Sequence, residues 1–214
     1  YLEAIPINLQ LKDYAELGKI YYNIGVIYKN IRTLDSAYYY FDGATHYYSL
    51  AGDKLNEAGA CDAMARVFYI NDETEKAFPI IKDKVIPLME KYNAYEDIID
   101  AYLFMSDYYR DKKQDDSVQY YLEKSVETAG INSVQDDKLA TLYNQLAVDA
   151  AGQKDYSKAK AYQLLALDAI PESEYMTLQN LQALQQTGVI YYAEKDYDSA
   201  RYYFEKAIDI LYTI

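Results

Sequence analysis

The feature that most constrains this chain is a step of 40–41 residues that recurs in two independent columns. The first column holds Gly25, Ala65, Ser106, Ala147 and Gly188, at steps of 40, 41, 41 and 41. The second holds Ala37, Ala77, Val118, Ala159 and Ala200, with the same four steps. A supersecondary unit that stacks on its neighbours is the physical meaning of such a period. The stretch Leu184 to Ala207 reads as one complete helix–turn–helix unit. Gly188 stands three residues before Tyr191, Asp196-Tyr197 breaks the pattern, and Ala200, Phe204 and Ala207 follow at helical spacing. Gly188 and Ala200 are expected where two antiparallel helices cross, since bulk there would hold the backbones apart.

Composition agrees with an all-α chain. There are 8 glycines, only 4 prolines, and no run of alternating β-branched residues. Of the 214 residues, 28 are tyrosines, which can line a core and still present a hydroxyl to water. The net charge of −13 disfavours nucleic acid as a ligand, because a phosphate backbone is held by clustered Lys and Arg. It disfavours anionic membrane surfaces too, and its plain reading is solubility. The single cysteine, Cys61, excludes an intrachain disulfide and any multi-cysteine metal site. It fits a cytoplasmic or a periplasmic chain alike. No stretch reaches the roughly 18 apolar residues of a membrane span. A start at Tyr1 rather than Met is expected of a processed or excised piece of a longer protein.

The repeated unit resembles the tetratricopeptide repeat: an aromatic, then Leu-Gly, Tyr, Ala, Phe, Ala and a late Pro at set spacings. Gly25-Tyr28-Ala37-Phe41-Ala44 and Gly188-Tyr191-Ala200-Phe204-Ala207 follow that pattern. The resemblance covers roughly residues 13–214 and implies a right-handed α-solenoid of antiparallel helix hairpins. It predicts a single repeat domain of five hairpins, at 13–50, 53–90, 93–130, 133–171 and 173–214. The family period is about 34, so each unit here is longer. The excess lies at the junctions: Ala44 to Cys61 is 17 residues and Ala166 to Leu184 is 18. Helices extended by up to two turns at the junctions are therefore expected. Ser106, Val118 and Gln163 depart from the consensus.

Local signals place the breaks. Arg32 to Ser36 supplies capping candidates, Gly52 fits a left-handed helix end, and Asp53 caps the next helix. Pro79 is expected in the first turn of its helix, and Pro87 is expected to kink or end it. Asn93-Ala94-Tyr95-Glu96 reads as a capping box. Turns are expected at Gly130 to Ser133 and around Pro171 and Ser173.

Residues with catalytic chemistry are sparse. His46 is the only histidine and stands beside Tyr47-Tyr48, where a packing or surface role is expected. Cys61 takes the place of the family's first large aromatic and reads as a buried, inert thiol. Asp115-Asp116 and Asp136-Asp137 fall at helix starts, where carboxylates oppose the helix dipole. No calcium loop, phosphate-binding glycine loop or zinc spacing is present. No enzyme activity, metal or cofactor is expected.

The resemblance also predicts the interaction face, since the first helix of each hairpin lines the concave side of such arrays. The expected positions are Tyr22, Val26 and Lys29, then Asp62, Arg66 and Tyr69, then Leu103, Asp107 and Arg110. The later hairpins give Asn144, Val148 and Ala151, and Gln185, Val189 and Tyr192. A protein or peptide partner is expected there, centred on Arg66, Tyr69, Asp107 and Arg110, with the arginines either gripping a carboxylate or neutralised by the aspartates. The Lys and Asn clamp by which some relatives hold C-terminal carboxylates is absent, since the matching places hold Tyr22, Val26, Asp62 and Arg66. One tyrosine of each doublet (Tyr21-Tyr22, Tyr108-Tyr109, Tyr191-Tyr192, Tyr202-Tyr203) is expected in the core and the other at a contact surface. By analogy the chain reads as a scaffold or sensor module of a larger bacterial regulator. The alternatives are a structural self-association module positioning a downstream domain, or a helical-repeat enzyme. Phe204, Ala207, Ile208, Leu211 and Ile214 form an apolar stripe, so a downstream segment or a second copy is expected to cover the last helix.

Overall fold

The structure is a computed structural model that describes residues 1–131, 136–170 and 178–212. Every element among the described residues is helical. The chain divides into two compact units, Tyr1–Lys112 and Lys113–Ile214.

The first unit holds α1 (Ala4–Leu11), α2 (Tyr14–Asn30), α3 (Leu34–Ala51), α4 (Lys54–Ile70), α5 (Thr74–Ile80), α6 (Ile86–Lys91) and α7 (Tyr95–Asp111). The second holds α8 (Asp115–Ile131), α9 (Asp136–Gly152), α10 (Tyr156–Asp168), α11 (Leu178–Ala193) and α12 (Tyr197–Leu211). Most run 15–18 residues, which is the junctional lengthening that the long period predicts. Helices α2 and α3 are antiparallel neighbours: Tyr14 near the start of one meets Tyr47 late in the other, and Tyr28 meets Tyr40.

The sequence period reappears in the backbone. Arg32, Asp72, Lys113, Lys154 and Lys195 all have positive φ, between 55° and 70° in round numbers, and they are spaced by 40, 41, 41 and 41. Each follows the first helix of a unit. At Arg32 the geometry is a Schellman end: Thr33 N–H donates to Tyr28 O and Arg32 N–H to Lys29 O. The same pair of bonds recurs around Asp72, Lys154 and Lys195. A three-residue turn therefore serves both as the end of one helix and the start of the next. Asp155 and Asp196 complete it, their carboxylates accepting from Lys158 N–H and Ser199 N–H. Lys12, Gly52 and Asn93 form a second left-handed series between units, at steps of 40 and 41.

Both marker columns lie in the core. Ala65, Ser106 and Ala147 have no exposed surface, nor do Ala37, Ala77, Val118 and Ala159. Gly25 and Gly188 are required by a ring as much as by a backbone. A Cβ on Gly25 would lie 2.7 Å from Phe41, and one on Gly188 would lie 2.7 Å from Phe204. Sixteen residues after Ala147, the matching place holds Gln163, fully buried, whose Nε2 donates to Ala183 O. Ser106 is buried by returning its hydroxyl to Leu103 O.

Several local expectations are corrected. Asn93 is not a cap but a left-handed residue; Ala94 holds the N-cap place with no side-chain bond. Pro79 is the sixth residue of α5, beyond the first turn. Pro87 does not end the helix, which runs on through Lys91. The segment Ile81–Val85 between α5 and α6 widens to π geometry just before it. A proline has no N–H, and its ring crowds the carbonyl four residues back, which a widened turn relieves. Gly130 lies inside α8 rather than in a turn. Ser133, Pro171, Ser173 and Ile214 lie outside the described residues, as do the side chains of Asp136 and Asp137.

Candidate interaction surface

In the first unit the first helices α2, α4 and α7 meet side by side. Tyr22 packs on Phe41 with ring centroids 5.4 Å apart and joins the cluster of Ala63, Met64 and Val67 on α4. Tyr69, 44% exposed, stands edge-on to Phe104 of α7 at 5.5 Å. Between these aromatic contacts Arg66 Nε donates to Asp62 Oδ2 at 2.6 Å. Burial pushes the Asp62 carboxyl above its usual range, against the opposing pull of Arg66, and Asp100 and Asp97 of α7 push it further. Asp62 Oδ1 is buried with no hydrogen-bond partner.

Each arginine of the expected site is thus held by an aspartate of its own helix: Arg66 by Asp62, and Arg110 by Asp107. Of the remaining expected positions, Val26, Lys29 and Leu103 are half-buried, and Asp107 and Arg110 are exposed. In the second unit, Asn144 and Ala151 are half-buried, and Val148, Gln185, Val189 and Tyr192 are exposed.

The second unit carries a cavity of about 150 Å³ between α9 and α11. Thr141, Asn144 and Gln145 of α9 and Gln182 and Ala183 of α11 line it, with Ala140 and Ile170. Asn144 Oδ1 is buried and unpartnered. The first-helix positions that the sequence reading missed share one cause. Asp100, Thr141 and Gln182 each lie three residues before an expected position, Leu103, Asn144 and Gln185. The long repeats lengthen the first helices, so these residues share a helix face with the expected positions. The extra repeat length was the signal.

The remaining candidates for chemistry are Cys61 and His46. Cys61 is 2% exposed, and burial pushes its thiol up, with Thr45 Oγ1 3.9 Å away. His46 is exposed beside the Tyr47 ring. The tyrosine doublets divide as expected in the last repeat: Tyr191 stacks on Tyr203 at 5.4 Å, while Tyr192 and Tyr202 are 61% and 52% exposed. No described helix is long and apolar enough to cross a membrane.

Residues 138–213 match the tetratricopeptide repeat family. That segment is similar to the family, and the chain has the fold of a tetratricopeptide-like helical repeat. Solved structures agree across nearly its full length. The chain is similar to BtubC (BKLC) from P. vanneervenii, with a TM-score of 0.82 at 15% identity over 99% of this chain and 86% of that one. It is similar to the apo form of RapI, with a TM-score of 0.80 at 16% identity over 97% of this chain, and spans 58% of RapI's own length. MamA from Desulfovibrio magneticus RS-1 gives a TM-score of 0.67 at 17% identity, over 92% of this chain and 96% of that one. No curated protein matches in sequence. Tetratricopeptide repeats form protein-interaction scaffolds, and proteins built of them are generally non-catalytic.

Proposed function

We propose that this tetratricopeptide-like chain is one repeat domain that binds a protein partner, as an extended segment, along the face made by its first helices. It would serve as the scaffold or sensor part of a larger regulatory protein. The observation that carries this reading is the exposure of apolar side chains at the expected face positions. Tyr69, Val148, Val189 and Tyr192 are 44%, 48%, 52% and 61% exposed, on the helices that carry the buried first column. Apolar side chains left exposed along the first helices fit an interaction surface.

The test is a photo-reactive amino acid placed singly at Tyr69, Val189 and Tyr192, and separately at the outer tyrosines Tyr39, Tyr120 and Tyr202, in the source cells. Discrete adducts from the first set are expected. Adducts from the second set alone would move the partner to the outer helices, and none from either set would end the reading.

A second reading, self-association through the last helix, is favoured by Ile208 and Leu211 of α12, which are 47% and 54% exposed. Sedimentation of the chain against its Ile208→Asp/Leu211→Asp variant decides it: a dimer that the double variant dissociates supports it, and a monomer at all concentrations removes it.

A further inference from the structure

We propose that copies of this chain associate head to tail, α12 of one copy packing on α2 of the next as α3 packs on α4 and α10 on α11. The inference rests on the reading of self-association through the last helix and names the surface which that helix meets. Three observations carry it, and in each the repeat period leaves one member of a column uncovered.

The first concerns α12. Phe41, Ile81, Leu122 and Gln163 recur at steps of 40, 41 and 41 and have no exposed surface, whereas Phe204, a further 41 residues on, is half-buried. Tyr48, Met89, Ala129 and Ile170 are 7%, 2%, 1% and 8% exposed, whereas Leu211, the next in that column, is 54% exposed. Phe41 clusters with Met64 and Tyr48 with Ala60, both of α4, and Ile170 clusters with Ala183 of α11. The cover in each case is the first helix that follows.

The second concerns α2. Val67 and Ile190 are both 3% exposed, Val67 packed with Ala37 and Phe41 of α3 and Ile190 with Ala159 of α10. Ile27 is their counterpart in α2, 40 residues before Val67, and it is 48% exposed. The residues that would cover it are the counterparts of Ala37 and Phe41 in α12, Ala200 and Phe204. Each end of the chain thus carries the surface that the other end lacks, and a contact between two different faces repeats from copy to copy.

The third is a cation over a ring. Lys160 Nζ of α10 lies 5.3 Å from the ring centre of Tyr191 on α11. Their counterparts are Arg201 of α12, 41 residues after Lys160, and Tyr28 of α2, four steps before Tyr191. Arg201 has a side chain 70% exposed, and Tyr28 lies stacked on Tyr40. Head-to-tail packing sets the guanidinium over that ring, an attractive arrangement. The end of α12 takes the place of α1, since Asn8 stands one step of 40 before Tyr48. Helix α1 buries none of its residues, so it yields that place.

The test is sedimentation velocity over a wide concentration range, in about 150 mM salt to screen the repulsion between copies of net charge −13. Species larger than a dimer, growing with concentration, are expected. Ile27→Asp and Leu211→Asp each alter one exposed position, so the fold is kept. Each alone is expected to stay monomeric, because association would bury an unpaired carboxylate. Mixed in equal amounts, the two variants are expected to form one-to-one pairs and nothing larger: one supplies an intact α2 face, the other an intact α12 face. A mixture that stays monomeric overturns the proposal. A dimer that Leu211→Asp dissociates and Ile27→Asp leaves unchanged also overturns it, while keeping self-association through the last helix. A chain that is monomeric at all concentrations overturns both.

Discussion

Gly188 and Gly25 are small for a specific ring. Alanine at either place gains about 1 kcal/mol of helix propensity, but its Cβ would sit 2.7 Å from Phe204 or Phe41. Overpacking of a filled core costs about 1–3 kcal/mol, so Gly188→Ala is expected to lower stability in urea unfolding. Pairing it with Phe204→Leu should recover most of the loss, because the clash is with the ring and not with backbone. Tyr21 gives a residue-scale dependence on pH. Burial pushes its hydroxyl up to about 12, helped by Tyr47, and burial does the same to Tyr48. Both keep their protons in the folded chain where the unfolded chain has lost them. Their stabilisation is therefore full below pH about 10 and is lost as pH rises towards about 12. Thermal melts across that interval should show falling stability, and Tyr21→Phe should flatten the fall.

At the scale of the element, the hairpin depends on a left-handed residue that is never glycine. Arg32, Asp72, Lys113, Lys154 and Lys195 hold this conformation, which costs an L-residue about 1–2 kcal/mol. The Schellman bonds around Arg32, Asp72, Lys154 and Lys195 repay part of it by satisfying two helix-end carbonyls. Lys154→Gly should remove the strain while adding about 0.4–1 kcal/mol of unfolded-state entropy, a net stabilisation of about 0.5–1 kcal/mol. Lys154→Val should destabilise, since a β-branched residue tolerates positive φ least. The denaturant midpoints of the two variants check the sign. The same left-handed step explains why polarity alone misplaced Asn93: asparagine suits an N-cap and a left-handed turn equally well, and only the backbone path separates them.

For the whole molecule, charge sets the expected response to salt. The net charge is −13, and several ion pairs, such as Lys19–Glu16 and Arg201–Asp198, are solvent-exposed. Exposed pairs contribute little, about 0–1 kcal/mol each, so self-repulsion is the larger electrostatic effect. Raising ionic strength from about 10 mM to about 150 mM shortens the screening length to about 8 Å. The melting temperature should rise over that range; a fall would mean that the surface ion pairs outweigh the repulsion.

The helical class, the repeat period and the two buried columns were determined by the sequence alone. Each rests on spacing along one chain, and helical geometry converts spacing into position without further information. The resemblance to tetratricopeptide repeats was legible for the same reason, in Gly25-Phe41 and Gly188-Phe204. Tertiary structure alone decided how each place was filled and what surrounded it. Spacing put Arg66 and Arg110 among the expected face positions, but which groups they face depended on which carboxylates lay within reach; Asp62 and Asp107 hold them. The cavity between α9 and α11 joins Asn144 to Gln182, residues 38 apart. No local pattern records how closely two such helices approach. That distance is set by the side chains packed between them, and so is the isolation of Asn144 Oδ1.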